Sequence, residues 1–306
     1  MGEIKIYRKI DAVHPVMIAG WPGMGSVALG AVDYLRRKLN ALKFAEIEVD
    51  RFAALDSVMV KNGFASLPEP PKNIFYYSKS LNLVIFEGAA QLPGHNGIDL
   101  LNQVLEMAVK LNISRIYTGA AFPMPISHTE EVHIYGAANK KGLIDFFKKF
   151  GISAMEEGHV SGLNGILLGL AKDRGLDAIC FLATMPQYAI SLPNPKASGS
   201  IVKVLSGVLN FEIDTTEIDE YSKEMDRKMT AIEEKVKDVF IESADEPESP
   251  AKDKKVPAYI MDRIEKLFIE ARFDKTKAIA LKKELDRWDL YRLYEDRFLD
   301  LFKNNQ

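Results

Sequence analysis

The chain predicts an α/β fold built on a largely parallel central sheet, followed by a C-terminal α-helical extension. Three observations carry this. Short apolar runs alternate with amphipathic runs over the first two-thirds of the sequence, the pattern of consecutive strand–helix units. Ala178–Ala183 is continuously apolar, as expected of a strand covered on both faces by helices. After Asn210 the apolar positions recur only at threes and fours, so strands give way to helices.

Pro15–Ala19 reads as the first buried strand, followed by a glycine turn, a helix over Val27–Leu39 and a second strand over Phe44–Val49. Ala53–Gly63 is less regular. Asn73–Ser78 and Asn82–Phe86 are adjacent strands, the first carrying the aromatic run Ile74–Phe75–Tyr76–Tyr77. Helix Ile98–Leu111 presents Ile98, Leu101, Leu105, Ala108 and Val109 on its apolar side, and strand Ser114–Gly119 follows. Lys140–Phe150 is an amphipathic helix with Leu143, Phe146, Phe147 and Phe150 inward. Gly158–Ser198 then supplies a helix in which Gly162, Gly165 and Gly169 leave one face bare for close approach. The strand Ala178–Ala183 comes next, breaks at Thr184–Met185–Pro186, and leads through Pro193–Asn194–Pro195 into a new helix.

Glu212–Phe240 is a long helix capped by Asp214 or Thr216, with Glu217 or Asp219 placed to answer the cap. Ile218, Tyr221, Met225, Met229, Ile232, Val236 and Val239 form a narrow, nearly heptad stripe. Such a stripe suits a helix or a partner chain, but a run of only about three heptads favours packing on the chain's own body. Glu242–Lys255, dense in charge and carrying two prolines, reads as a flexible linker. Beyond it, Pro257–Ala271 and Lys275–Phe302 form two helices, with Pro257 as a first helical residue and Asp274 as a cap. Their stripes are Ile260, Ile264, Leu267, Phe268 and Ala271, and Leu281, Leu285, Trp288, Tyr291, Phe298 and Phe302. A pair of this size cannot bury a full core alone and must dock on the body or a neighbouring subunit. The boundaries so read are 1–213 for the α/β core, 214–241 for the long helix, 242–256 for the linker and 257–306 for the helical hairpin.

Hydrophobic residues make up 47% of the chain and charged residues 27%, enough apolar material for a sizeable core. A net charge of −3 with no basic block weighs against nucleic acid as a partner. The single cysteine, Cys180, excludes an internal disulfide and reads as a small buried hydrophobe. The opening MGEIKIYRK lacks an apolar signal core, and no apolar run approaches the length of a bilayer, so a cytoplasmic protein with no membrane partner is expected.

Gly23-x-Gly25-x-x-Ala28 formally matches the dinucleotide fingerprint, in which backbone N–H groups meet a pyrophosphate, and Asp50 falls about where a ribose-binding acid belongs. Against this, Trp21–Pro22 puts a bulky ring and a rigid residue into the turn, and Ser26 stands where a Walker lysine is needed. The favoured reading is a sharp strand-to-helix turn, with anion binding at the helix N-terminus as the looser one; no cofactor is expected. His128-Thr-Glu-Glu-Val-His133 lacks the metalloprotease spacing, and a strand would put its two histidines on opposite faces, so a polar loop pair is favoured and no metal is expected. Glu87–Gly88 ends a strand, where ligands of open α/β sheets gather, and Gln91, His95 and Asn96 follow in the same loop. Gly119–Pro123 and Thr184–Pro186 end two further strands. The candidate ligand-binding residues are therefore Gly23, Gly25, Glu87, Asn96 and Thr184, lining one shared cleft. The plainer alternative is that Gly and Pro serve only the backbone angles of these turns. Ser26 and Ser161 lack a nucleophile-elbow context, and no catalytic set is assigned.

From about Pro15 to Leu209 the order of features resembles the proteasome assembly chaperone 2 family, in its prokaryotic branch. The matching pieces are Gly20-Trp-Pro-Gly-Met-Gly25, the Glu87–Gly88 strand end, Tyr117–Thr118–Gly119 and Gly136–Ala137–Ala138–Asn139. The longest match runs from Gly162-Leu-Asn-Gly-Ile-Leu-Leu-Gly169 through Thr184-Met-Pro-Gln-Tyr188 to Pro193-Asn-Pro-Lys-Ala197. Members often show Asp-Pro followed by paired alanines at that last position, where this chain has Asn194–Pro195 and Ala197–Ser198. The resemblance implies a three-layer fold like that of nucleoside phosphorylases and related hydrolases, a homo-oligomer, and no agreed catalytic set.

The same resemblance implies a role in assembling the proteasome α-ring, which makes proteasome α subunits the implied partner. Some chaperones of this kind engage the ring with a C-terminal hydrophobic–tyrosine–any-residue tail. This sequence finishes Lys303–Asn304–Asn305–Gln306, with Tyr294 its nearest tyrosine, a departure that points to another contact surface or to no proteasome role. The first expectation is thus a non-enzymatic, oligomeric assembly chaperone or adaptor, making contacts through Thr215–Gln306. The second is an enzyme on a phosphorylase-like fold, acting on a nucleoside or in carboxylate–amine ligation, its site gathering Gly23, Gly25, Glu87, Asn96 and Thr184.

Overall fold

The computed structural model describes residues 3–49, 58–242, 258–273 and 277–288, together with Leu290, Tyr291, Tyr294, Arg297, Phe298 and Leu301. The chain divides into two compact units, Met1–Val236 and Lys237–Gln306. In chain order the strands are β1 (Ile4–Ile6), β2 (Val16–Gly20), β3 (Leu42–Ile47), β4 (Met59–Lys61), β5 (Phe64–Ser66), β6 (Asn73–Ser78), β7 (Leu83–Gly88), β8 (Arg115–Met124), β9 (Ile134–Ala138), β10 (Ser153–Ala154) and β11 (Ala178–Pro186). The helices are α1 (Val27–Lys38), α2 (Gly94–Lys110), α3 (Ile144–Lys149), α4 (Gly162–Asp173), α5 (Pro195–Leu209), α6 (Thr216–Glu242), α7 (Ala258–Phe273) and α8 (Lys277–Arg287).

Nine strands form one mixed sheet in the order β1-β3-β6-β7-β2-β8-β11-β9-β10. The central block β7, β2, β8 and β11 is parallel. On one side β6, β3 and β1 continue it antiparallel, and on the other β9 runs antiparallel to β11 with β10 parallel to β9. Side chains alternate across this sheet. Met17, Ala19, Phe75, Phe86, Cys180 and Leu182 face helices α2 and α4, whereas Ile18, Ile85, Tyr117, Ile179 and Phe181 face α1, α3 and α5. The result is three layers with an apolar core on each face. Trp21, Phe86 and Phe75 pack in series as tilted rings in the first core, with centroids 5.1 and 4.7 Å apart. Each such ring, fully buried, stabilises the fold by about 1.5–3 kcal/mol.

The structure departs from the sequence expectations at several elements. β8 and β11 run on as paired strands to Met124 and Pro186, with Met185 opposite Pro123, so Thr184 lies within a strand and not in a break. Their prolines fall near the strand ends, where an absent N–H removes little of the ladder. β9 forms although Ile134–Ala138 is rich in small residues; it pairs along β11, and the Phe147 ring lies where a side chain on Gly136 would go. Val109 and Phe150 face solvent and not the core. Of the three glycines of α4, Gly165 packs against the Val160 carbonyl, Gly162 faces Gln91, and Gly169 faces open space. The irregular Ala53–Gly63 region contains strand β4, which pairs with β5 as a separate two-stranded ribbon.

Helix α6 begins at a shared cap. Thr215 accepts the Asp219 amide at its carbonyl and donates its hydroxyl to the Asp219 carboxylate at 2.7 Å, while the Asp214 carboxylate accepts the Thr216 amide. Ile218, Met225 and Met229 are buried, the last two against Ala189, so this part of the stripe packs on the chain's own body; Tyr221 is exposed. The side chains of Ile232, Val236 and Val239 lie outside the described residues, as does nearly all of the predicted linker. In the second unit α7 and α8 build their own cluster from Ile264, Phe268, Ala271, Ala278, Leu281, Leu285 and Phe298. Arg297 clamps Glu265 through two bonds of 2.6 Å and lies over the Phe268 ring. α8 stops at Arg287; Trp288 is a turn and Leu290 irregular, and the described residues Tyr291, Tyr294, Arg297, Phe298 and Leu301 are helical again, so the single helix expected to Phe302 is interrupted. Among the described residues, no helix is long and apolar enough to cross a membrane.

Candidate functional site

The carboxyl ends of β2, β8 and β11 open onto a cleft of about 620 Å³, lined largely by Met24, Ala121, Phe122, Pro123, Val160 and Leu182, with Gly23 and Asn164 at its wall. One side of it is the turn from β2 into α1. Trp21 is fully buried in that turn, its ring against the Cα of Gly88, where a Cβ would meet the indole at 2.2 Å. Pro22 is held from outside by the Gln91 amide, which donates to its carbonyl. Gly25 has φ +62° and its open space closes at 3.0 Å against Met185, so both its backbone angle and its surroundings require glycine.

The turn's hydrogen-bonding groups point inward. The Gly25 amide donates to the Ile190 carbonyl at 2.8 Å, and the Ser26 amide donates to the Gly23 carbonyl. The Gly25 carbonyl accepts from the Asn194 amide. These are amides that a pyrophosphate would have to claim in the dinucleotide reading. Asp50, the residue placed for a ribose in that reading, lies outside the described residues.

Sequence reasoning missed the work of three asparagines, two of which, Asn164 and Asn194, hold this edge together while Asn139 sits at the opposite edge, by the start of β11. Asn164, on the first turn of α4, accepts from the Trp21 amide and the Thr118 hydroxyl and donates to the Trp21 carbonyl. Asn139 donates to the Leu168 and Leu176 carbonyls and accepts from the Ala178 amide. Asn194 caps α5 by accepting the Ala197 amide. The Asn164 and Asn139 amides link backbone from distant parts of the chain, whereas Asn194 caps locally, and each lies inside a motif that was legible in sequence. The motifs were visible; the partners were not.

The five candidate ligand-binding residues fall in different surroundings. Gly23 lines the large cleft. Gly25 lines a second hollow of about 340 Å³, between α1, the start of α5 and α6. Thr184 borders a pinhole of about 10 Å³ beside His128, room for one water. Its hydroxyl accepts the His133 amide, and its own amide donates to the His133 carbonyl. Asn96 is exposed near the start of α2. Glu87 points to the other face of the sheet, where Arg36 of α1 pairs with it and with Asp33 and lies over the Tyr76 ring. Burial pushes the Glu87 carboxyl above its ordinary value, and the Arg36 guanidinium only partly offsets this.

His128 is itself buried, its ring bonded to the Tyr188 and Thr230 hydroxyls, while Lys196 donates to the carbonyls of His128 and Glu130. This ties the β8–β9 loop to α6. Among the described residues no three His, Cys, Asp or Glu side chains are grouped to hold a metal.

The family model of the PAC2 family matches residues 17–233, which spans β2 through most of α6. The chain belongs to the PAC2 family. Relatives by sequence include two uncharacterised proteins of Methanocaldococcus jannaschii. One is 25% identical over 236 residues, covering 72% of this chain and 86% of the relative. Among solved structures, Pyrococcus furiosus PbaB, an archaeal proteasome activator, is 27% identical with a TM-score of 0.65, covering 76% of this chain and 98% of that one. Pyrococcus furiosus PbaA, an archaeal homolog of proteasome-assembly chaperone, is 17% identical with a TM-score of 0.58, covering 78% and 99%. PbaA thus shows the shared PAC2 fold, mixed sheet and flanking helices together.

Proposed function

We propose that this protein is a cytoplasmic, homo-oligomeric interaction protein of the proteasome system, acting on proteasome α subunits as an assembly chaperone or adaptor. The observation that carries this is the likeness to PbaB, an archaeal proteasome activator, over nearly that whole chain. The geometry supports a binding role over a catalytic one. The cleft at the carboxyl edge is walled mainly by apolar side chains, and its Asn164 and Gln91 amides are tied to backbone. Glu87, the candidate acid of the enzyme alternative, is paired with Arg36 on the opposite face.

Affinity capture of the tagged full-length chain from its own cell lysate, with bound proteins identified by mass spectrometry, tests this reading. Proteasome α subunits in stoichiometric amounts are the expected result. Capture of the chain alone, in lysate that contains assembled and free α subunits, would overturn it.

A further inference from the structure

The ribbon β4–β5 stands apart from the rest of the molecule. Its turn, Asn62–Gly63, has φ +51° and +79°, the left-handed pair that suits a two-residue hairpin. All six strand residues are exposed, and with Val58 they set out Met59 (53%), Val60 (63%) and Phe64 (76%) in solvent. A two-stranded ribbon with three-residue strands and no layer behind it is marginal by itself, and an exposed apolar tip marks a contact surface.

The ribbon leaves the sheet at the same edge as the large cleft. Ile47 at the end of β3, Asn73 at the start of β6 and Gly88 at the end of β7 are aligned in register, and β7 ends beside β2. Only β7 lies between β6, one of the ribbon's two roots, and β2 at the cleft. The charges are complementary. Lys61 is exposed at the ribbon tip, and Glu156 and Glu157 are exposed just before His159 and Val160 of the cleft wall.

We propose that the β4–β5 ribbon of one copy inserts Met59 and Phe64, which the register places on one face, into the cleft of a second copy, with Lys61 meeting Glu156 and Glu157. Because ribbon and cleft share one edge, two copies facing across a two-fold axis make both contacts at once, a closed, self-complementary pairing. The inference rests on the self-association part of the proposed function and not on its proteasome part.

Light scattering on size-exclusion fractions of the full chain tests it. The wild-type chain is expected to run as a dimer or a multiple of it. Met59→Ser with Phe64→Ser, at exposed positions, is expected to weaken association by at least about tenfold. Lys61→Glu is expected to weaken it, and adding Glu156→Lys and Glu157→Lys to restore it. Mixing a Phe64→Cys chain with a Met24→Cys chain is expected to give an interchain disulfide, since Met24 lines the cleft and Cys180 is buried. A monomeric wild type would overturn both this joint and self-association. An oligomer unchanged by the double serine variant, or a mixture of the Phe64→Cys and Met24→Cys chains that forms no disulfide between the two, would overturn the joint alone.

Discussion

The turn Trp21–Ser26 and the excursion from β3 to β6 that carries the turn Lys61–Phe64 leave the same edge of the nine-stranded sheet, and both turns use left-handed residues, Gly25 and Ser26 in the first, Asn62 and Gly63 in the second. Their surroundings are opposite. In the first, Trp21 is fully buried, and Asn164, Ile190 and Asn194 take up backbone groups of the turn. In the second, the Phe64 ring is 76% exposed. Glycine spacing thus marks where the chain reverses, while the side chains that reach the turn from elsewhere decide whether it is framework or surface.

The sharpest way to break this contrast is Gly88→Ala. The added methyl has no room beside the Trp21 indole, and displacement of that ring is expected to cost about 3 kcal/mol, read as a fall in the denaturation midpoint. A loss under about 1 kcal/mol would show that the sealed turn can shift. Asn164→Ala comes next. It leaves the buried Trp21 amide and carbonyl without their partner, and about 2–3 kcal/mol of lost stability is expected from denaturant unfolding.

Glu87→Gln has a smaller effect with a definite sign. A carboxyl raised in the folded state binds its proton more tightly there than in the unfolded chain. Its stabilising share is therefore full at pH below the ordinary carboxylate range and is lost as pH rises through the raised folded value. The variant should thus gain in Tm over wild type as pH climbs to neutrality, with Asp33 still pairing Arg36, and the two should converge in acid. A wild-type advantage that grows with pH would show the Arg36 pair to outweigh burial. Phe64→Ser stands at the other extreme. Measured on dilute chain, it is expected to change unfolding stability by no more than about 0.5 kcal/mol, and a larger loss would place the ribbon among the framework elements.

The layers were legible because periodicity reports burial directly. Asn73–Ser78 was delimited to the residue, and β2 and α1 within one, since turn residues bound runs of clear period. β9 was not legible, because Ile134–Ala138 owes its conformation to pairing with β11, more than forty positions on. Asn164 gave no local signal either, as its partner Trp21 is 143 residues away. The ribbon did carry a signal, an Asn–Gly pair flanked by apolar residues, which reads as a two-residue hairpin. The candidate site residues were chosen as strand ends, a rule that fixes an edge but not a face; Glu87 and Gly23 show the difference.

The lone thiol of β11 gives the molecule an internal clock. Cys180 lies between β8 and β9 with no exposed surface, and burial pushes its thiol up to about 12. At neutral pH alkylation must wait for the central ladder to part, so the labelling rate counts openings of the sheet's interior, unconfused by any second cysteine. Movements confined to the ribbon pass without leaving a mark on that clock; loosening of the Trp21 turn, two strands away, should make it run faster.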